Sequence, residues 1–309
     1  MRLITRSDFD GLVCAVLLRE VEQIDSIEFV HPKDVQDGKV TAGPNDVLTN
    51  LPYVQGVGLW FDHHSSELTR NEDTATYRGR FEIAPSAARV VYNHYAANGK
   101  GTQLSKYDKL LESVDRSDAA QLTMDEVSKP GGWILLSYVM DPRTGLAYHH
   151  GYSISNRELM MKMIDLIARH PDDPKTVLED ADVKERIDRY FEQQEVFTKV
   201  MREHSRVERN AIITDLRGLG DPPVGNRFLI YTMFPEANIQ VRIFDGRKGE
   251  FVVCALGHSI FNRTSRTDVG KLMAQHGGGG HRGAGTCQLP LPVADLKLRE
   301  IIERVKADG

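Results

Sequence analysis

Short apolar runs that stop abruptly at polar residues, with helical stretches between them, set the strongest limit on how this chain folds. Arg2-Leu-Ile-Thr5 breaks off at Ser7-Asp-Phe-Asp10-Gly11 and leads straight into the apolar stretch Leu12–Leu18. Ile27–Val30, Asp46–Asn50 and Val57–Phe61 read as three further strands, the last ending at Asp62-His63-His64. A helix is expected from Ala84 to Tyr92, with Pro85 and Ser86 in its first turn. Buried strands alternating with helices predict an α/β fold with a doubly wound parallel sheet. Such sheets bind ligands beyond the carboxyl ends of their strands. Asp8, Asp10, Asn50, Asp62, His63 and His64 all fall at such ends.

The middle of the chain reads as helical. Asn156 is expected to cap a helix through Ala168, and Pro171-Asp-Asp-Pro174 breaks the chain. Val183, Ile187, Tyr190, Phe191, Val200 and Met201 mark one face of a long amphipathic helix joining two domains. After it, Ala211–Thr214, Phe228–Phe234, Ile239–Phe244 and Phe251–Leu256 read as strands. A glycine run and a final helix from about Val293 to Val305 follow. The expected division is a catalytic domain over 1–125, a helical linker region over 126–205 and a smaller α/β domain over 206–309.

Composition narrows the function classes. With 309 residues, 40% hydrophobic and a net charge of −5, the chain is neither disordered nor a general duplex-DNA binder. No apolar run reaches the roughly 18 residues of a membrane span. The start lacks a signal-peptide pattern, so a cytoplasmic location is expected. Cys14, Cys254 and Cys287 form neither a disulfide framework nor a zinc pattern. Residues 205–309 carry 15 basic and 11 acidic residues, a net of +4, and the remainder a net of −9. An acidic first part and a basic last part suit a metal site and an anion-binding surface.

Three motifs carry chemistry. Asp8-x-Asp10-Gly11 places two carboxylates in a strand-end turn, where they can ligate divalent cations or cap the next helix. Asp62-His63-His64 adds imidazole and carboxylate ligands that suit Mn²⁺, Fe²⁺, Co²⁺ or Zn²⁺. Gly277-Gly278-Gly279-Gly280-His281 offers backbone N–H groups for the close approach of an anion.

In this order, the three motifs resemble the DHH/DHHA1 phosphoesterase superfamily over the whole chain. That superfamily includes oligoribonucleases, cyclic dinucleotide phosphodiesterases and RecJ-type exonucleases. The resemblance implies an N-terminal DHH domain and a C-terminal DHHA1 domain. It implies that Asp8 and Asp10 divide between two metal ions and that His63 is a ligand. His64 is implied to contact the phosphate or the nucleophile, and Asp62 to orient a histidine. A later aspartate completes the second metal; Asp118 is favoured, because Ala119-Ala120 and Leu122 after it fit the family's pattern better, and Asp115 remains open. Arg263, Gly277–Gly280 and His281 are implied to bind the substrate, with Arg242 and Arg266 as weaker candidates. The implied cofactor is Mn²⁺, or Mg²⁺ or Co²⁺, with one or two ions per chain.

Two departures stand out. Relatives carry a histidine shortly before the carboxylate pair, where this chain has Leu3-Ile-Thr-Arg-Ser7, including Arg6. Relatives place a bridging aspartate after the third strand, where this chain has Asn50. Asparagine is neutral and bridges cations poorly, so the first metal site is weakened. Arg6 then supplies positive charge in its place.

The expected activity is metal-dependent hydrolysis of short oligonucleotides or dinucleotides to mononucleotides. The expected partner is a phosphate-containing small substrate or a short single strand, not a membrane, with homodimerisation left open. The alternatives are an exopolyphosphatase-like hydrolase and a catalytically weakened nucleotide- or nucleic-acid-binding protein. Tyr53, Trp60 and Phe261 suit either base stacking or core packing.

Overall fold

The computed structural model describes residues 1–64, 67, 77–220 and 223–309. It divides into two compact units, Met1–Leu122 with Pro130–Arg189, and Thr123–Lys129 with Tyr190–Gly309.

The first unit holds an all-parallel sheet of β1 (Arg2–Arg6), β2 (Ser26–Val30), β3 (Asp46–Thr49), β4 (Leu59–Asp62) and β5 (Gly79–Phe81). Their order is β2-β1-β3-β4-β5. The chain thus leaves β1 toward β2 on one side and returns to β3 on the other. That reversal opens a crevice beyond the carboxyl ends of β1 and β3, the usual place for a ligand in such a sheet.

Five helices of this unit matter for the site: α1 (Phe9–Val21), α2 (Ala87–Tyr95), α3 (Asp108–Asp118), α4 (Gly132–Met140) and α5 (Asn156–Arg169). Helix α1 is apolar nearly all round because it is buried nearly all round, against β1 and against α2, α3 and α5. Each buried Leu or Val in it contributes roughly 1.5–3 kcal/mol of transfer free energy. A separate cluster of Ile4, Leu48, Leu51, Val57 and Trp60 also packs in this unit.

Two helix starts differ from the sequence expectation. Ser86 lies outside α2 as its N-cap, accepting from Arg89 N, rather than in the first turn. Ser155, not Asn156, caps α5, in a reciprocal capping box with Glu158.

Helix α6 (Ala181–Glu203) contains the boundary between the units. The second unit carries β6 (Ser205–Glu208), β7 (Ala211–Asp215), β8 (Ile239–Asp245), β9 (Phe251–His258), β10 (Gly279–His281) and β11 (Ala284–Pro290). Their order is β10-β11-β9-β8-β7-β6, with only β7 and β8 parallel. One face buries Ile213, Val241, Cys254 and Leu256 together with α7 (Val269–Gln275) and α8 (Ala294–Asp308).

The run Phe228–Phe234, expected as a strand, instead contains the helix Leu229–Met233. Asn226 Oδ1 accepts from Phe228 N at 2.9 Å and its carbonyl accepts from Leu229 N at 3.0 Å, which starts a helical turn. A short apolar run carries no period that separates the two states. No helix among the described residues is long and apolar enough to cross a membrane.

Candidate active site

The carboxyl ends of β1 and β3 bring Arg6, Asp8 and Asn50 together. Asp8 caps α1, its Oδ1 accepting from Gly11 N at 2.9 Å and from Asn50 Nδ2 at 3.1 Å. Its Oδ2 forms an ion pair with Arg6 Nε at 2.8 Å. Asn50 sits in the left-handed region at φ 55°, a conformation asparagine adopts more readily than most residues. Because its Nδ2 is turned to Asp8, its Oδ1 is buried with no donor among the described residues. Asp46, at the start of β3, is paired with Arg2 and takes no part here.

Asp10 is buried on the first turn of α1. Its two oxygens accept from Ala87 N and Ala88 N, 2.9 and 2.8 Å away, at the start of α2. The positive end of that helix favours the carboxylate. Burial nevertheless pushes the Asp10 carboxyl well above its usual range, and Asp118 and Asp8 add to the rise. His63 Nε2 lies 3.8 Å from Asp10 and 3.3 Å from Asp118. His63 Nδ1 is 2.9 Å from the Ala84 carbonyl, which can only accept, so this nitrogen carries the proton. In the neutral ring Nε2 presents a lone pair, and it is buried with no hydrogen-bond partner among the described residues. Burial also raises the Asp118 pKa, with Asp8 adding to it and His63 opposing.

Asp118 and Asp115, the two alternatives read from the sequence, have different surroundings. Asp118 meets His63, at the C-terminal end of α3. Asp115 is taken up by Arg89 at 2.5 Å and Ser86 at 2.6 Å. Asp10, His63 and Asp118 therefore form a three-donor set of metal-binding size, and Asp62, His63 and His64 a second that shares His63.

Asp62 is buried at the end of β4, its Oδ1 2.8 Å from His64 Nδ1. Burial works against a charged His64, but the bonded Asp62 carboxylate and the nearby Asp118 outweigh it, so the His64 pKa is raised. Arg143, in the turn after α4, is a residue that sequence reasoning missed. It pairs with Asp141 at 2.7 Å. Its side chain is half exposed; partial desolvation opposes its charge, yet Asp141, followed by Asp8 and Asp118, holds its pKa above the ordinary arginine value. No motif marks it, since its relation to the carboxylates is set by the packing of α3 against α4.

Gly277–Gly280, His281 and Arg263 lie in the second unit. The glycines do not form a row of free amides. Gly277 N donates to Ala274 O and Gly278 N to Met273 O, which closes the end of α7. Gly279–His281 then runs as the edge strand β10. Glycine is required at 278 and 280 because a Cβ would lie 2.1 Å from Thr286 O and 2.3 Å from Ala284 O. Amides facing an anion can therefore come only from Gly279 onward, on the exposed strand edge. His281 is exposed, and Arg263 Nε donates to Ile260 O at 3.0 Å. Trp60 is only 1% exposed and packs with Tyr53, Tyr77 and Phe81, so it offers no stacking surface.

Solved structures similar to this one exist. A pGpG-specific phosphodiesterase from Vibrio cholerae is 43% identical, with 100% of this chain and 99% of that chain covered and a TM-score of 0.85. The chain belongs to the DHH/DHHA1 phosphoesterase family. Its fold is also shared by a DHH-domain protein at 14% identity and TM-score 0.60, covering 99% of this chain and 86% of that one. Manganese-bound RecJ from Thermus thermophilus is 14% identical with a TM-score of 0.53, covering 98% of this chain and 51% of that one. No family model matches the chain, and no curated protein does.

As a DHH-family phosphoesterase, the chain is an enzyme. Asp62→Asn keeps the shape at His64 but removes the charge that raises its pKa. We expect kcat/KM to fall roughly 10–100-fold, the usual cost of losing a group that orients a reactive histidine. Steady-state rates beside an unchanged circular dichroism spectrum check this.

Proposed function

We propose that this chain hydrolyses a linear dinucleotide, with pGpG as the leading substrate, to mononucleotides, with the help of divalent metal, preferably Mn²⁺. The observation that carries this reading is the buried His63 Nε2, without a hydrogen-bond partner among the described residues, facing Asp10 and Asp118. Two carboxylates and an imidazole nitrogen converging within metal-binding distance fit a divalent ion of the Mn²⁺ type. The identity and near-complete coverage shared with the pGpG-specific phosphodiesterase support the substrate.

Asp10, His63 and Asp118 would hold the ion, and Mn²⁺ at such a site lowers the pKa of a water molecule to make a nucleophile at neutral pH. His64, whose protonated form Asp62 favours, would donate to a non-bridging phosphate oxygen or to the leaving oxygen. Arg6 contributes a fixed positive charge to the same phosphate. Arg263, the glycine edge and His281 bind the substrate from residues 206–309. The three cysteines are free and buried, which suits a reducing cytoplasm.

The test is release of mononucleotide from pGpG with and without Mn²⁺, beside inorganic polyphosphate. We expect Mn²⁺-dependent cleavage of pGpG and little attack on polyphosphate. Cleavage of polyphosphate alone would replace this reading with a phosphoanhydride hydrolase. Binding of pGpG without cleavage would make the chain a nucleotide-binding protein.

A further inference from the structure

The carboxylates at this site are unequal. Asp10 and Asp118 face a lone pair, while both oxygens of Asp8 are already committed. One takes Gly11 N and Asn50 Nδ2, and the other takes Arg6 Nε. An ion beside Asp8 would meet an amide NH₂ group and a guanidinium, both of which turn positive charge toward it.

We infer that this site binds a single divalent cation, at Asp10, His63 and Asp118, and that the Arg6 guanidinium fills the place of a second ion. The inference rests on the phosphoesterase reading of the site and adds its metal count. Arg6 is suited to that place. Only its Nε is engaged, and its terminal N–H groups have no partner among the described residues. Its side chain is 28% exposed, so those groups can take two phosphate oxygens at once. Unlike a metal ion, this charge neither dissociates nor needs supplying.

The experiment is a Mn²⁺ titration of the full chain by calorimetry, with electron paramagnetic resonance on the same samples. Each is run with and without a phosphorothioate dinucleotide. Wild type is expected to take one tight ion per chain and to give the signal of an isolated Mn²⁺ in both conditions. Asp118→Asn should lose the tight ion. The double variant Arg6→His with Asn50→Asp should gain a second ion and an exchange-coupled signal. Two tight ions or a coupled signal in wild type, with or without the analogue, would overturn the inference. So would a folded double variant that still takes one ion. The wild-type count does not depend on any variant folding. It is also independent of whether pGpG is cleaved, so failure of the substrate assignment leaves it standing.

Discussion

His63→Ala is expected to abolish Mn²⁺-dependent hydrolysis while leaving the fold intact. The side chain sits at the end of β4, anchored by the Ala84 carbonyl, with Nε2 between Asp10 and Asp118. Truncation removes the only neutral donor of that set. The two carboxylates are then left to repel each other, and protons rather than a metal relieve the repulsion, because burial already raises both pKa values. Loss of an outer hydrogen-bond partner costs about 10–100-fold in metal affinity. Loss of a ligand itself should exceed that. Calorimetric titration of Mn²⁺ and rates measured at saturating metal check the result. A variant that retained wild-type affinity would remove His63 from the proposed site.

Gly11→Ala is expected to damage the same site through the backbone. A Cβ at this position would lie 2.0 Å from Arg6 O and 2.8 Å from Thr5 Oγ1. The first of these atoms is main chain in a strand paired on both sides, so it cannot move aside. The start of α1 has to shift instead, and with it Asp8, Asp10 and the Gly11 N–H bonded to Asp8. We expect a loss of stability at or above the usual range of about 1–3 kcal/mol for overpacking, read by urea unfolding. Gly279→Ala is the contrast, because nothing lies within 4 Å of a Cβ there. Its stability should be close to wild type.

Much of the first unit was legible in the sequence because its strands are short, apolar and end at polar residues. That pattern placed Asp8, Asp10, Asn50 and Asp62–His64 at carboxyl ends before any coordinates. The choice between Asp115 and Asp118 was only partly legible. Three residues apart on one helix, they share a face, and only Arg89 and Ser86, brought in by α2, tell them apart. Phe228–Phe234 was misread because the Asn226 turn that makes it helical is a local hydrogen-bond pattern, invisible to hydropathy. The glycine run was read as exposed amides because composition does not show which of them close the end of a helix. Arg143 went unnoticed because nothing in Asp141-Pro-Arg143 distinguishes it from a surface turn.

Asp10 is satisfied by amides 77 and 78 residues further along the chain, and the residues that share its candidate metal-binding group lie at 63 and 118. Such contacts have high contact order, and high contact order makes for slow, late assembly. During synthesis the proposed ligand set cannot exist until the end of α3 has left the ribosome. A fragment ending before it would hold carboxylates with no shared ion. Tight binding of a divalent cation should therefore report that the first 118 residues have come together.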